Sequence, residues 1–310
     1  MTTPTELTSA DLDRLLQQVS NWGRWGQEDQ RGTLNYMTPE VRRAAAQLVQ
    51  EGVSVSAARP LATTPAPENA RPVQHYMTRT ADVQEGQLYG FVGDVFSISP
   101  HGFAHTHMDA LCHLFYQGQT YNGFPASLIT SMGARANAIT AGAEGIVSRG
   151  VVLDIPWLRG TDWLEPGTAI LPDELERAEA AAGVRLGPGD ILLVRTGRWR
   201  RYQALGPWDL LSQGLAGLHP TCMPWLHQRQ IAVLGCDGVS DTFPSPMAEV
   251  RDPIHILALC GMGLHLLDNC DLEALAEACA SRRRWAFLLA VAPLRLAGGT
   301  ASPVNPIAVF

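Results

Sequence analysis

Four of the nine histidines of this 310-residue chain, His101, His105, His107 and His113, fall within one short segment that also holds Asp109. Imidazole nitrogen and carboxylate oxygen are the ligand types that Zn²⁺, Mn²⁺ and Fe²⁺ accept. All five residues occupy odd positions. In an extended chain, alternate side chains share a face. The parity predicts that His105, His107 and Asp109 converge, and that His101 joins them unless a bulge intervenes. His113 lies four residues past Asp109 and faces the same side in either a strand or a helix. A divalent cation held there would polarise a carbonyl and make water a stronger acid. An imidazole at 113, with an ordinary pKa near ~6.5, would collect the proton.

Other chemistries lack their signatures. There is no Gly-x-Ser-x-Gly elbow, no Gly-rich dinucleotide loop and no phosphate-binding loop. None of the six cysteines forms a Cys-x-x-Cys pair, and most sit in apolar surroundings, as buried free thiols do. The net charge is −7, with Lys and Arg scattered, which disfavours nucleic acid as a partner. No apolar run reaches the length of a membrane span, and the first residues lack the apolar core of a signal peptide. The expectation is a cytoplasmic protein acting on a small molecule. With 46% apolar and 17% charged residues, the chain has material for a large core.

The elements that must position the histidines show in the hydrophobic pattern. Val151–Ile155, Ile191–Arg195 and Ile231–Gly235 are short, nearly continuous apolar runs bounded by Gly, Pro or Asp, the pattern of strands buried on both faces. Ala286–Val291 reads as a last strand. Asp11–Val19, Leu171–Ala182 and Leu272–Ala280 read as helices, the last with Asp271 as N-cap. Another helix starts at Thr38, with Thr38 as N-cap and Pro39 at the first helical position. Pro60–Pro72 reads as an exposed loop. Strands alternate with helices, so the fold class is α/β, in one domain over residues 1–310.

The segment Thr106-His107-Met108-Asp109 with His113 resembles the motif His-x-Gly-Thr-His-x-Asp-x-Pro-x-His of the cyclase family, which includes bacterial kynurenine formamidases (arylformamidases) and isatin hydrolases. The similarity extends to Asp29–Glu40, Gly150–Asp154, Gly189-Asp190, Gly235-Cys236-Asp237 with Ser240, and Pro253-Ile254-His255. The motif's first His falls on Phe103, its Gly on His105 and its Pro on Leu111. Either His101, two residues upstream, or His105 replaces the lost ligand. Gly102 lets the backbone kink, which favours His101.

The resemblance implies a swivelling β/β/α domain, usually oligomeric, and a metal-dependent hydrolase of an amide, formamide or cyclic amide. It implies a second His and a downstream acid at the site, which fall on His255 and Asp268. The expected ligands are therefore His101, His107, Asp109, His255 and Asp268, holding Zn or Mn, with His113 as the catalytic base. Trp22, Trp25 and Asn35 are candidates for the substrate pocket by family analogy. Asp237 and Ser240 fit a turn slightly better than a site, and His219 fits pocket and surface equally. A lactone or other ring-ester hydrolase and a non-enzymatic metal- or ligand-binding member are the alternatives.

Overall fold

The structure, a computed structural model, describes residues 7–247 and 249–310. Its centre is a nine-stranded mixed sheet. Numbered along the chain, the strands are β1 (Ser54–Ser56), β2 (His107–Asp109), β3 (Ile146–Asp154), β4 (Ile191–Arg195), β5 (Val233–Cys236), β6 (His265–Asp268), β7 (Ala286–Val291), β8 (Ala301–Pro303) and β9 (Ile307–Val309). Their spatial order is β1-β9-β7-β3-β4-β5-β6-β2-β8. β3, β4, β5 and β6 run parallel, and the outer strands pair antiparallel.

The parallel strands are covered on both faces, which is why their sequences read as unbroken apolar runs. Val151, Leu153, Leu192, Val194, Leu234 and Leu266 point into one core. There they meet Leu12, Leu15 and Val19 of helix Ser9–Val19, Leu175 of helix Pro172–Ala181 and Leu226 of helix Met223–Arg229. Val152, Ile191, Leu193, Val233 and Leu267 point the other way, toward Leu275 and Cys279 of helix Glu273–Arg282. Successive residues enter opposite cores, as the pleat requires.

The expected elements are present with shifted ends. The strand expected at Val151–Ile155 begins earlier, at Ile146, and the one at Ile231–Gly235 spans Val233–Cys236. Thr38 caps helix Pro39–Ala46 by accepting from Val41 N at 3.3 Å. The N-cap of the last helix is Leu272 rather than Asp271, whose carboxylate instead accepts from Glu273 N at 3.3 Å. Pro60–Pro72 is the exposed loop expected, pinned by the buried Asn69, whose amide donates to the carbonyls of Ala62 and Thr64. All six cysteines are buried and free. Among the described residues no helix is long and apolar enough to cross a membrane.

Candidate metal centre

The register of the sheet builds the site. β2 pairs antiparallel with β6 so that Met108 lies opposite Leu267 and His107 opposite Asp268. Met108 and Leu267 enter one core, so His107, Asp109 and Asp268 are turned to the opposite face. Asp268 ends β6, which places the cluster at the carboxyl end of the parallel strands, where open α/β sheets hold their ligands. His255 arrives from the turn Pro253–His255, which leads directly into a π-helical stretch, Ile256–Met262.

Asp109 is the hub. It is 1% exposed, and among the described residues neither carboxylate oxygen has a hydrogen-bond partner. Four imidazoles surround it: His101 Nδ1 at 3.0 Å, His107 Nε2 at 3.4 Å, His255 Nε2 at 3.5 Å and His113 Nε2 at 3.9 Å. Asp268 Oδ2 lies 3.5 Å from His255 Nε2, and Asp268 Oδ1 is buried without a partner. A buried, unpaired carboxylate is costly unless a charge meets it. Two triplets have their ligand atoms within 4.8 Å of one another, namely His101, Asp109 and His113, and His107, Asp109 and Asp268. They share Asp109. The orphaned oxygens and the imidazole–carboxylate donor set both fit a divalent cation.

A second layer fixes the rings. The carbonyl of His105 accepts from His107 Nδ1 at 2.8 Å, which turns Nε2 toward the carboxylates. Asp241 Oδ2 lies 2.5 Å from His255 Nδ1, and the same carboxylate accepts from Ile254 N and His255 N. One buried acid thus caps the turn and aims the imidazole, a recurrent support for metal-binding histidines. His101 Nε2 pairs with Thr300 Oγ1 at 3.0 Å, and the His101 ring stacks on His113 with centroids 3.7 Å apart.

The charges are interdependent. Burial opposes protonation of His255, but Asp109, Asp241 and Asp268 outweigh it and hold the imidazole well above its ordinary pKa. Burial likewise opposes protonation of His107, and Asp109 and Asp268 raise it. Asp109 is driven well below the usual carboxylate range: burial pushes it up, and the surrounding histidines more than reverse this. A cation held at these nitrogens would take the place of their protons. His113 departs from the ordinary imidazole expected of it. Burial pushes it down to about 4, with Asp109 opposing and the neighbouring histidines adding to the drop.

The loop before β2 is held by Arg198 and Asn269. Arg198 Nη2 donates to the Phe103 carbonyl, and Nη1 donates to Asn269 Oδ1 at 2.6 Å. Asn269 Nδ2 in turn donates to the carbonyls of Gly102 (2.8 Å) and His105 (3.2 Å). Gly102 has φ +126°, so the kink anticipated there exists, and His101 stands in the Asp109 cluster. His105 does not converge with His107 and Asp109. The extended stretch begins only at His107, so the parity rule does not reach back to 105.

The cluster opens on a cavity of about 340 Å³, with Phe103, Leu114, Val239 and Phe243 as apolar walls and Arg71 and Arg251 at its margin. Phe103 packs edge-on against Phe243. Trp22, Trp25 and Asn35 do not line this cavity. Trp22 Nε1 donates to the Cys260 carbonyl, Trp25 packs edge-on against Tyr36, and Asn35 donates to Asp29. Asp237 does more than close a turn. Its buried carboxylate accepts from the backbone of Thr196, Gly197 and Arg198, seating the helix that carries Arg198. Ser240 is buried at φ +62°, and His219 caps a short turn by accepting from Thr221 N. Asp241, Thr300, Arg198 and Asn269 escaped sequence reasoning. Only Asn269 carried a local hint, its place beside Asp268.

No curated protein matches the chain. A crystal structure of a novel cyclase is 33% identical and superposes with TM-score 0.86, covering 94% of this chain and 100% of the other. Isatin hydrolase A from Ralstonia solanacearum is 21% identical, with TM-score 0.61 over 88% of this chain and 98% of its own. Isatin hydrolase A from Labrenzia aggregata, bound to benzyl benzoate, is 20% identical, with TM-score 0.59 over 85% and 94%. At such identities the two hydrolases share the fold. The cyclase family model matches residues 55–241, a span that begins at β1 and ends at Asp241, the acid that aims His255. By that match and its likeness to the novel cyclase, the chain belongs to the cyclase family.

Proposed function

We propose that this chain is a metal-dependent hydrolase that cleaves an amide, formamide or cyclic amide bond. The observation that carries the reading is the buried Asp109 carboxylate, set amid four imidazoles and with no hydrogen-bond partner among the described residues. His101, His107, Asp109, His255 and Asp268 would hold Zn²⁺ or Mn²⁺. When bound, such a cation supplies Lewis-acid chemistry, polarising a carbonyl and making water more acidic.

The chain's own groups do the rest. Asp241 keeps His255 Nε2 directed at Asp109 and Asp268. His113 is neutral at physiological pH, so its imidazole can accept the proton of an attacking water and return it to the leaving nitrogen. Phe103, Phe243 and Val239 offer an aromatic or apolar ring a dry wall. The fold shared with isatin hydrolases agrees with a cyclic amide, and the family resemblance with an arylformamidase-type reaction. A lactone or ring ester is the second reading, favoured by Phe103 standing where the motif has a ligand. A homo-oligomer belongs to this proposal. The hairpin of Gln74–Arg79 and Gly93–Ser97 supports it by exposing Tyr76 and its cross-strand partner Val95 on one face and Phe96 on the other.

The test is to strip the protein with a chelator and re-load it with Zn²⁺ or Mn²⁺. Formanilide, an isatin-type ring and an aryl lactone are then assayed. Turnover of an amide that appears only on re-loading supports the proposal. Turnover of the lactone alone selects the second reading. A metal-loaded protein inert toward all three would be a binding member of the family.

A further inference from the structure

The loop His101–His105 is a wall between two cavities. The metal centre opens on one. The second, of about 200 Å³, shares Arg71, His101, Gly102, Phe103 and Leu211 with it, so the two adjoin. His105 lines only the second. It is 3% exposed, and among the described residues neither Nδ1 nor Nε2 has a hydrogen-bond partner. In the lining of the same cavity, Glu68 Oε2 is also buried and, among the described residues, unpartnered. Buried polar groups are ordinarily satisfied, so three orphaned atoms around one small cavity point to an occupant. The proposed metal chemistry needs neither side chain.

We infer that this second cavity is a substrate subsite that reads a hydrogen-bond-donating substituent, a hydroxyl or a primary amine, with His105 and Glu68 as specificity determinants. The inference rests on the hydrolase reading for the identity of the substrate, but not for the cavity. Glu68 Oε2 can only accept, and a neutral imidazole offers one donor and one acceptor. The occupant must therefore donate to Glu68, and it gains by pairing with His105 as well. A hydroxyl or amine does both. A carboxylate would face Glu68 and Asp209, with Arg71 the sole Lys or Arg among the described residues of the lining. An alkyl group would leave all three atoms unsatisfied, and sites built to hydrogen-bond a group discriminate against analogues that lack it.

The test uses product-like anilines, whose binding does not depend on turnover. Ortho-aminobenzyl alcohol, ortho-aminomethylaniline and ortho-ethylaniline are titrated calorimetrically into the metal-loaded protein and its His105→Gly and Glu68→Gln variants. Circular dichroism and metal content are read alongside. In the unaltered protein, the hydroxyl or the amine arm should bind about 10- to 100-fold tighter than the ethyl arm. A tighter amine marks recognition by the Glu68 charge, and a tighter hydroxyl marks neutral pairing with His105. Both variants should shrink the preference to within about threefold while keeping their metal. Glu68→Gln preserves shape and carries the test if His105→Gly does not fold. Equal binding of the three ligands, or none, overturns the subsite, as does loss of metal from His105→Gly. A preference that persists in a protein inert toward amides and lactones alike would sink the hydrolase reading and leave the subsite standing.

Discussion

At the scale of single residues, the site sorts its histidines by what their second nitrogen does. His107 gives Nδ1 to a backbone carbonyl, and His255 pairs Nδ1 with Asp241. Both rings are thereby locked with Nε2 on the carboxylates, as ligands must be. Neither ring nitrogen of His113 is locked in this way. It stacks on His101 with its Nε2 farther from Asp109 than those of its neighbours. That freedom suits a base. His113→Ala should keep its metal and lose turnover by ~10²–10⁴-fold, the usual cost of a missing acid–base group. Metal content measured beside kcat decides, because loss of metal would make His113 a ligand, as its place in the His101–Asp109 triplet allows. The sign of the pH effect follows from its depressed pKa. Neutral imidazole is the active form, so at constant metal content the rate should fall as pH drops through about 4, well below the ordinary imidazole range. An acid limb near ~6.5 that vanishes in His113→Ala would contradict that placement.

At the scale of elements, what the sequence discloses is what repeats locally. β4 and β7 are legible because each is a continuous apolar run. The hairpin of Gln74–Arg79 and Gly93–Ser97 is not, because most of its residues are exposed and no alternation marks a face. His107 and Asp109 announce themselves by their period of two. The same rule fails one step earlier, because the loop at Gly102–His105 is shaped by contacts from elsewhere in the chain. Asp268 and His255 came only through resemblance to a family, since cross-strand register is set by residues far apart. Asp241 and Arg198 act across the fold and leave no local pattern. Arg198 is the sharpest case. Burial pushes its guanidinium down to about 10, with Asp237 opposing, and it donates to the Phe103 and Asp237 carbonyls and to Asn269. Arg198→Met should cost about 3 kcal/mol, since it strands buried acceptors. It should also weaken metal binding by loosening the loop that carries His101. Arg198→Lys should not restore either, because an ammonium lacks the planar fork. Denaturant titration and calorimetric metal titration check both. Unchanged metal affinity in a destabilised Arg198→Met would show that the loop holds its shape without the clamp.

At the scale of the whole molecule, the sheet gathers distant segments at the carboxyl ends of its parallel strands. β6 ends in Asp268, β5 is followed by Asp237, and β4 is followed by the helix that carries Arg198. The antiparallel strand β2 is laid beside β6 in the one register that sets His107 against Asp268. A slip of one residue would turn both His107 and Asp109 into the apolar core. This architecture holds a buried carboxylate ringed by imidazoles, a donor set that fits a divalent cation. The most direct measurement is the divalent metal content, by plasma mass spectrometry, of the protein and its His107→Ala and Asp109→Asn variants, with circular dichroism to confirm folding. The account predicts stoichiometric Zn²⁺ or Mn²⁺ in the unaltered protein and folded variants stripped of metal. Full metal occupancy in both variants would contradict it.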